Sequence, residues 1–279
     1  MHAPPPKSLD LRHPLIMGIV NVTPDSFSDG GRFLAQGDAL AQGLRLVQEG
    51  AALLDIGGES TRPGSDVVTV DEELRRVLPV VEALVGRVGV PISVDTTKAE
   101  VARRALRAGA SLVNDISALR ADDEMAGVVA ESGCPVCLMH MRGQPKTMQD
   151  DPHYDDVVDD VLRFFEERMA FALEHGVHEE QILLDPGIGF GKTPEHNLTL
   201  LRHLDRFVSL GRPVVLGASR KRFLGVILGA EPGQRVIGTV ATTVVGLLAG
   251  VRVFRVHDVK PNFEALRVGL AILEGPTLT

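Results

Sequence analysis

Ile182-Leu-Leu-Asp-Pro-Gly187 is a short apolar run closed by a carboxylate and a turn. A strand covered on both faces has no use for a residue such as Asp185 except at its end. The same arrangement recurs along the chain. Ile16-Met-Gly-Ile-Val ends on Asn21, Leu53-Leu on Asp55, Pro91-Ile-Ser-Val on Asp95, and Leu112-Val on Asn114-Asp115. Pro213-Val-Val-Leu216 leads to Ser219-Arg-Lys221, and Val253-Phe-Arg-Val256 to His257-Asp258. A series of strand ends carrying hydrogen-bonding groups is what a parallel barrel uses to assemble one site from scattered segments.

Eight strand-like runs can be counted: Ile16–Val22, Leu53–Gly57, Ile92–Thr96, Leu112–Ile116, Val136–His140, Ile182–Gly187, Val214–Ser219 and Arg252–Asp258. Most are continuously apolar, the mark of buried parallel strands. Helix-period segments lie between them. Asp38–Glu49 opens on an aspartate suited to an N-cap and stops at Gly50. Thr69–Arg87 opens on a Thr69/Glu72 capping box, with Pro79 expected to kink or split it. Lys98–Ala108, Asp123–Glu131, Pro194–Leu204, Gln234–Ala249 and Asn262–Leu273 follow the same period. Asp155–His175 is the clearest helix, with Val158, Val161, Leu162, Phe165 and Met169 on one face.

Strand then helix, repeated, predicts an α/β chain: a single (β/α)8 TIM barrel over residues 1-279, with residues 1-14 a short N-terminal extension. Two βα connections, Thr23–Gly37 and Gly58–Val68, are longer than the fold needs and rich in Gly, Ser, Asp, Thr and Pro. They are expected to be mobile loops over the C-terminal face.

The 44 % hydrophobic content suffices for a packed core, and a net charge of −8 argues against broad nucleic-acid binding. Arg220, Lys221, Arg222 and Arg255 can still form one local anion pocket. No leader-like segment opens the sequence, and no apolar stretch reaches the roughly 20 residues that span a bilayer, so a cytoplasmic protein is expected. Cys134 and Cys137 have redox or half-zinc spacing, but they bracket a strand and no second pair exists; they read as small core residues. Gly187-Ile-Gly-Phe-Gly191 lacks the spacing of a dinucleotide loop.

Asp95, Asn114 and Asp185 offer carboxylate and amide groups in an apolar surround, which suits a flat heterocycle whose N–H and C=O groups each need a partner. Lys221 and Arg255 come from the last two strands, where many barrels bind phosphate. Asn21 and the loop carrying Asp25 supply hard oxygen ligands suited to Mg²⁺ shared with a phosphate.

Asn21-Val-Thr-Pro-Asp-Ser-Phe-Ser-Asp-Gly-Gly31, followed by Asp55-Ile-Gly-Gly-Glu-Ser-Thr-Arg-Pro-Gly64, closely resembles the dihydropteroate synthase family. The match runs on through Val94-Asp-Thr96, Asn114-Asp115, Leu138-Met-His-Met141, Leu184-Asp-Pro-Gly-Ile-Gly-Phe-Gly-Lys192, Ser219-Arg-Lys221 and Arg255-Val-His-Asp-Val259. The resemblance implies a folate-biosynthesis transferase on a TIM barrel. Such an enzyme joins 6-hydroxymethyl-7,8-dihydropterin pyrophosphate to 4-aminobenzoate.

Carried over residue by residue, Asp95, Asn114, Asp185 and Lys221 would grip the pterin, and Asp95, Lys221 and Arg255 would carry catalysis. Asn21 would ligate Mg²⁺, the implied cofactor, and would with Arg255 and His257 hold the pyrophosphate. Thr61, Arg62, Pro63, Phe190 and Ser219 would shape the aminobenzoate pocket. The resemblance also implies a homodimer through the barrel's outer helices, with Val236–Val251 a candidate contributor.

Methyltetrahydrofolate:corrinoid methyltransferases resemble this family in fold and pterin grip, but have no need of the Asn21 loop, Arg62, Ser219-Arg-Lys221 or Arg255-Val-His257. A non-catalytic paralogue should have lost loop or anion residues, and the chemistry-bearing segments here are intact. Asp115 and Asp258 read as caps. Asp55 reads as either a site residue or an anchor for Gly57 and Gly58; Asp25 as a ligand or a turn residue; His140 as a lining residue or a structural one.

Overall fold

The computed structural model describes residues 7–22, 32–60 and 67–275. Eight parallel strands form one sheet: β1 Leu15–Asn21, β2 Leu53–Gly57, β3 Ile92–Asp95, β4 Leu112–Asp115, β5 Val136–Met139, β6 Ile182–Asp185, β7 Val215–Leu216 and β8 Val253–Val256. Their order is β6-β5-β4-β3-β2-β1-β8-β7. A parallel bridge between Leu184 and Val214, with Leu184 N–H donating to the Pro213 carbonyl at 3.0 Å, joins β6 to the approach of β7 and brings the two edges together. A TIM barrel is the result, as the strand–helix alternation predicts.

The helices are α1 Arg32–Gln48, α2 Val70–Val85, α3 Ala99–Arg107, α4 Met125–Ser132, α5 Val157–Glu174, α6 Pro194–Arg202, α7 Leu204–Val208, α8 Arg222–Leu228, α9 Val236–Leu248 and α10 Val259–Glu274. α1 begins six residues before Asp38, which lies inside the helix rather than capping it. α2 opens as expected, with Thr69 Oγ1 accepting the Glu72 N–H at 3.3 Å. Pro79 does not split it: the carbonyl of Arg75, deprived of the proline's missing N–H, receives the Gln36 side-chain amide at 3.5 Å. The predicted Pro194–Leu204 helix breaks at His203 into α6 and α7, and α8 has no counterpart among the predicted helices.

Period-two alternation divides the core into two layers. Met17, Leu53, Leu112, Cys137, Leu183, Val215 and Val253 pack together inside the barrel, with Leu9 and Leu11 of the N-terminal segment against them. Ile16, Leu54, Val113, Leu138, Leu184 and Phe254 face outward into the helix layer. Cys134 belongs to the outer layer and Cys137 to the inner one, and both thiols are buried and unbridged.

Strand parity also places the site. Two residues beyond interior Leu53, Leu112, Leu183 and Val253 stand Asp55, Asn114, Asp185 and Arg255; Asp95 stands two beyond buried Ser93. The apolar layer is therefore the floor, and the next inward-facing layer is polar.

Candidate active site

Arg255 joins the polar layer across the barrel. Its Nε donates to Asp55 Oδ2 at 2.6 Å and its Nη2 to Asp95 Oδ2 at 2.7 Å. The same Asp55 oxygen accepts Asn114 Nδ2 at 3.0 Å, while Asp55 Oδ1 is buried without a partner among the described residues. Asp55, which is 0 % exposed, therefore fixes Arg255 and Asn114 instead of the Gly57–Gly58 turn. Of the two roles open to Asp55, the structure supports the site one, with a cation 200 residues away in sequence. Arg255, expected with His257 at an anion pocket, has its Nε and Nη2 committed to the two carboxylates.

Burial raises Asp95 to about 7; Arg255 opposes the shift, and Asp55 and Glu73 add to it. Burial lowers Arg255, but Asp55 and Asp95 more than reverse this and hold it above the ordinary arginine value. Asp185 is raised by burial, against the Gly187 N–H that donates to its Oδ1 at 2.7 Å. Burial lowers Lys221 to about 8, with Asp185 opposing.

Lys221 Nζ sits 4.0 Å from the centroid of the Phe190 ring, a cation–π contact. Phe190, Ile116, Met139, Met141 and Met148 form an apolar cluster beside the polar layer. The sequence reading assigned no role to Ile116 or the methionines, although Met139 stands two residues beyond interior Cys137, which is signal enough to find it.

Ser219 and Lys221 flank Arg220, whose φ of 56° lies in the left-handed region. Arg220 itself turns away to a bidentate pair with Asp258, at 2.8 and 2.5 Å. Ser219 Oγ accepts the His257 backbone N–H at 3.1 Å and lies 3.0 Å from His257 Nδ1. Ser219 Oγ keeps a second lone pair and its own proton, so the contact with Nδ1 can be made by either ring tautomer. Burial lowers His257 to about 3, reinforced by Arg255 and Arg220.

Asn21 ends β1 with an exposed side chain, opposite Gly57 in the register. Thr61, Arg62 and Pro63, and likewise Asp25, lie outside the described residues. Asp115 accepts the N–H groups of Ser117 and Leu119 at 2.7 Å each and so caps the β4 turn, where Ala118 and Leu119 are left-handed. His140 is structural: its Nδ1 lies 2.8 Å from buried Lys192 Nζ.

A cluster the sequence reading missed stands beside Asp95. Lys98 pairs with Glu59 and, at 2.6 Å, with Glu73 Oε2. Glu73 is 0 % exposed, and its Oε1 has no partner among the described residues. Glu59, Glu73, Asp95, Lys98, Ile116 and Arg120 line part of a cleft of about 540 Å³ at this mouth.

Fold and site define a barrel enzyme with a buried acidic and amide cradle, and the comparisons agree. The chain belongs to the pterin-binding enzyme family: the family model described as pterin binding enzyme matches residues 17–257. Within that family its relatives are dihydropteroate synthases. The enzyme of Escherichia coli strain K12 is 49 % identical over 266 residues, 95 % of this chain and 94 % of that protein. The Yersinia pestis dihydropteroate synthase, solved in a sulfonamide drug complex, superposes with a TM-score of 0.92 at 47 % identity, covering 99 % of this chain and 100 % of that one. The Xanthomonas albilineans dihydropteroate synthase, solved with 4-aminobenzoic acid, gives 0.90 at 51 % identity, covering 96 % of each.

Proposed function

We propose that this chain is a transferase of folate biosynthesis, a dihydropteroate synthase. It condenses 6-hydroxymethyl-7,8-dihydropterin pyrophosphate with 4-aminobenzoate, giving 7,8-dihydropteroate and pyrophosphate. The observation that carries this reading is the cradle of Asp95, Asn114 and Asp185 at the ends of β3, β4 and β6, with Asp95 and Asn114 tied through Asp55 and Arg255, in a chain so similar to known synthases.

The pterin ring is assigned to Asp95, Asn114, Asp185 and Lys221, whose donors and acceptors match a flat heterocycle. The C–O bond to pyrophosphate breaks first, in an SN1-like displacement, and the leaving group takes the electron pair. The pterin methylene becomes cationic and Asp95, when ionised, stabilises it. The aminobenzoate nitrogen then forms the new C–N bond and releases a proton to solvent; an arylamine is already unprotonated near neutral pH, so the site needs no strong base.

Arg255, His257 and Asn21 are assigned to the pyrophosphate, with neutral His257 donating from Nε2 in the tautomer whose Nδ1 accepts the Ser219 hydroxyl. Asn21 would also hold Mg²⁺, because an exposed amide oxygen at a strand end suits an ion bound through one protein ligand and substrate phosphates. When bound, Mg²⁺ neutralises charge on the leaving group. The aminobenzoate pocket is assigned to Phe190 and Ser219, with Thr61, Arg62 and Pro63.

A coupling assay with radiolabelled 4-aminobenzoate, run with and without EDTA, tests the reading. Metal-dependent dihydropteroate formation supports it. Tight pterin binding without product would mean a non-catalytic paralogue, and methyl transfer to a corrinoid would mean the rival enzyme.

A homodimer belongs to the same proposal. Ile237 (77 % exposed) and Leu248 on α9, Ile272 (76 % exposed) and Val268 on α10, and Val226 and Ile227 on α8 leave an apolar outer face where these helices pack together. A second copy is the occupant we assign to it, and light scattering giving the 30.0 kDa monomer mass at micromolar concentration would contradict it. A cytoplasmic setting is proposed too, in keeping with the two unbridged thiols; cell fractionation tests it.

A further inference from the structure

Lys192 takes no part in the chemistry above, yet it is 2 % exposed. Among the described residues it has no carboxylate within hydrogen-bonding reach. Instead Nζ donates to the carbonyls of Gly187 and Phe190, each at 3.0 Å. It also lies 2.8 Å from His140 Nδ1, a hydrogen bond that either protonation pattern can make, and 3.4 Å from the His140 carbonyl. Burying an amine costs several kcal/mol unless its bonds are made, and here they all converge on one loop and the end of β5.

That loop is difficult to hold. Gly187, Gly189 and Gly191 have φ of 66°, 82° and 61°, so nearly every second residue sits in the left-handed region, with the conformational entropy of glycine to overcome. A Cβ at Gly187 would overlap the His140 carbonyl, so loop and strand end are in backbone contact. Asn197, Gln149 and Tyr154 each fix one further polar group, at Gly189 N, Gly189 O and Gly191 O. Lys192 alone takes two of the loop's carbonyls and ties them to another strand.

The loop in turn carries one face of the candidate site. Its Gly187 N–H holds Asp185 Oδ1, and its Phe190 ring supports Lys221 Nζ. Gly189 leaves the space for the lysine stem, since a Cβ there would come 2.9 Å from Lys221 Cδ. His140 is itself locked, edge-on against Phe164 of α5 at 4.8 Å between ring centroids.

We propose that Lys192 and His140 form a buried positioning pair that sets the Gly187–Gly191 loop and, through it, the pterin-binding geometry of Asp185 and of Lys221, which rests on the Phe190 ring. The inference rests on the pterin role assigned above. Neither residue touches substrate; each acts through the loop.

The test is Lys192→Met, which keeps the side-chain volume and removes the donors. Affinity for dihydropterin pyrophosphate, measured by calorimetry without aminobenzoate, should fall about tenfold, the scale of one or two lost hydrogen bonds. The KM for the pterin should rise in step, with a smaller rise for aminobenzoate because Phe190 rides on the same loop, while kcat moves less than about threefold. A purely structural lysine gives a different pattern: a lower melting temperature and less active protein, with unchanged pterin affinity in the folded fraction. That result would overturn the proposal.

Should Lys192→Met fail to accumulate, His140→Leu and His140→Gln decide. The leucine should reproduce the loss of pterin affinity, and the glutamine, whose amide oxygen can accept from Nζ, should restore most of it; equal affinities for the two count against the pair. The wild-type chain is assayed first. If it neither binds the pterin nor makes dihydropteroate, the parent reading has failed, whereas an active wild type with an unchanged K192M removes the positioning role alone.

Discussion

Arg255 and Asp95 meet at 2.7 Å although their strands, β8 and β3, are separated in the sheet by β1 and β2. The contact crosses the barrel mouth, so the carboxylate assigned to the reacting carbon is aligned by a cation from the far wall. Asp95→Asn should keep the fold and lower kcat by about 10²–10³-fold, the usual scale for losing one preorganised electrostatic contact. Near-normal turnover in a steady-state assay would remove the cation-stabilising role.

The raised pKa of Asp95 gives that role a pH signature. With a folded-state value of about 7, the carboxylate is protonated below neutrality, so kcat/KM for the pterin should fall about tenfold per pH unit on the acid side. The stability sign is opposite. The native state retains the proton between roughly 4 and 7 while the unfolded chain has lost it, so this group's contribution to stability falls as pH rises through that window. Melting curves of wild type and Asp95→Asn should therefore diverge between pH 5 and 8, with the variant gaining relative stability at pH 8. Parallel curves would mean an unperturbed Asp95.

Asp55 bridges Arg255 and Asn114 through a single oxygen. Asp55→Ala removes one of the two carboxylates facing the partly buried Arg255 guanidinium and should cost about 3 kcal/mol, the low end for breaking a buried pair, read from urea unfolding. Asp55→Asn keeps an oxygen for one partner and should cost less, while raising the KM for the pterin because Arg255 and Asn114 no longer share an anchor. If both variants are as stable as wild type, the bridge contributes nothing.

Much of this was legible in the sequence. Interior Leu53, Leu112, Leu183 and Val253 each precede a polar residue by two, so a strand period and a list of polar endings suffice to find the cradle. Asp55 stayed ambiguous because parity places a side chain but does not name its partner across the barrel. Asp38 resembled an N-cap, yet lies inside α1, since helix starts depend on what the preceding residues pack against. Lys98 and Glu73 look like ordinary helix-surface charges, and only the approach of α2 to the end of β3 buries them together. Lys192 follows a glycine-rich segment directly, and no local pattern separates a buried lysine from an exposed one.

The Lys98 pairing is open to a double-mutant cycle. Lys98→Met leaves fully buried Glu73 without its cation and should destabilise by about 3 kcal/mol. Glu73→Gln alone should cost less, since Lys98 keeps Glu59. The double variant should recover at least 1 kcal/mol relative to the sum of the singles. Strict additivity in chemical denaturation would show that the two side chains do not interact.

His257 makes the opposite pH prediction from Asp95. Its folded-state value, lowered to about 3 by burial and by Arg255, lies below the ordinary 6.5. Between these values the unfolded chain binds a proton that the native state refuses, so the residue's contribution is intact above about 6.5 and is lost progressively as pH falls toward 3. His257→Asn removes that titration. Urea midpoints at pH 7.5 and pH 5 should therefore drop less in the variant than in wild type. The neutral ring also predicts that kcat in wild type shows no inflection near 6.5 from this histidine. If ¹⁵N spectra show the His257 ring titrating near 6.5, burial and Arg255 do not hold it neutral, and the neutral donor assigned to the pyrophosphate loses its basis.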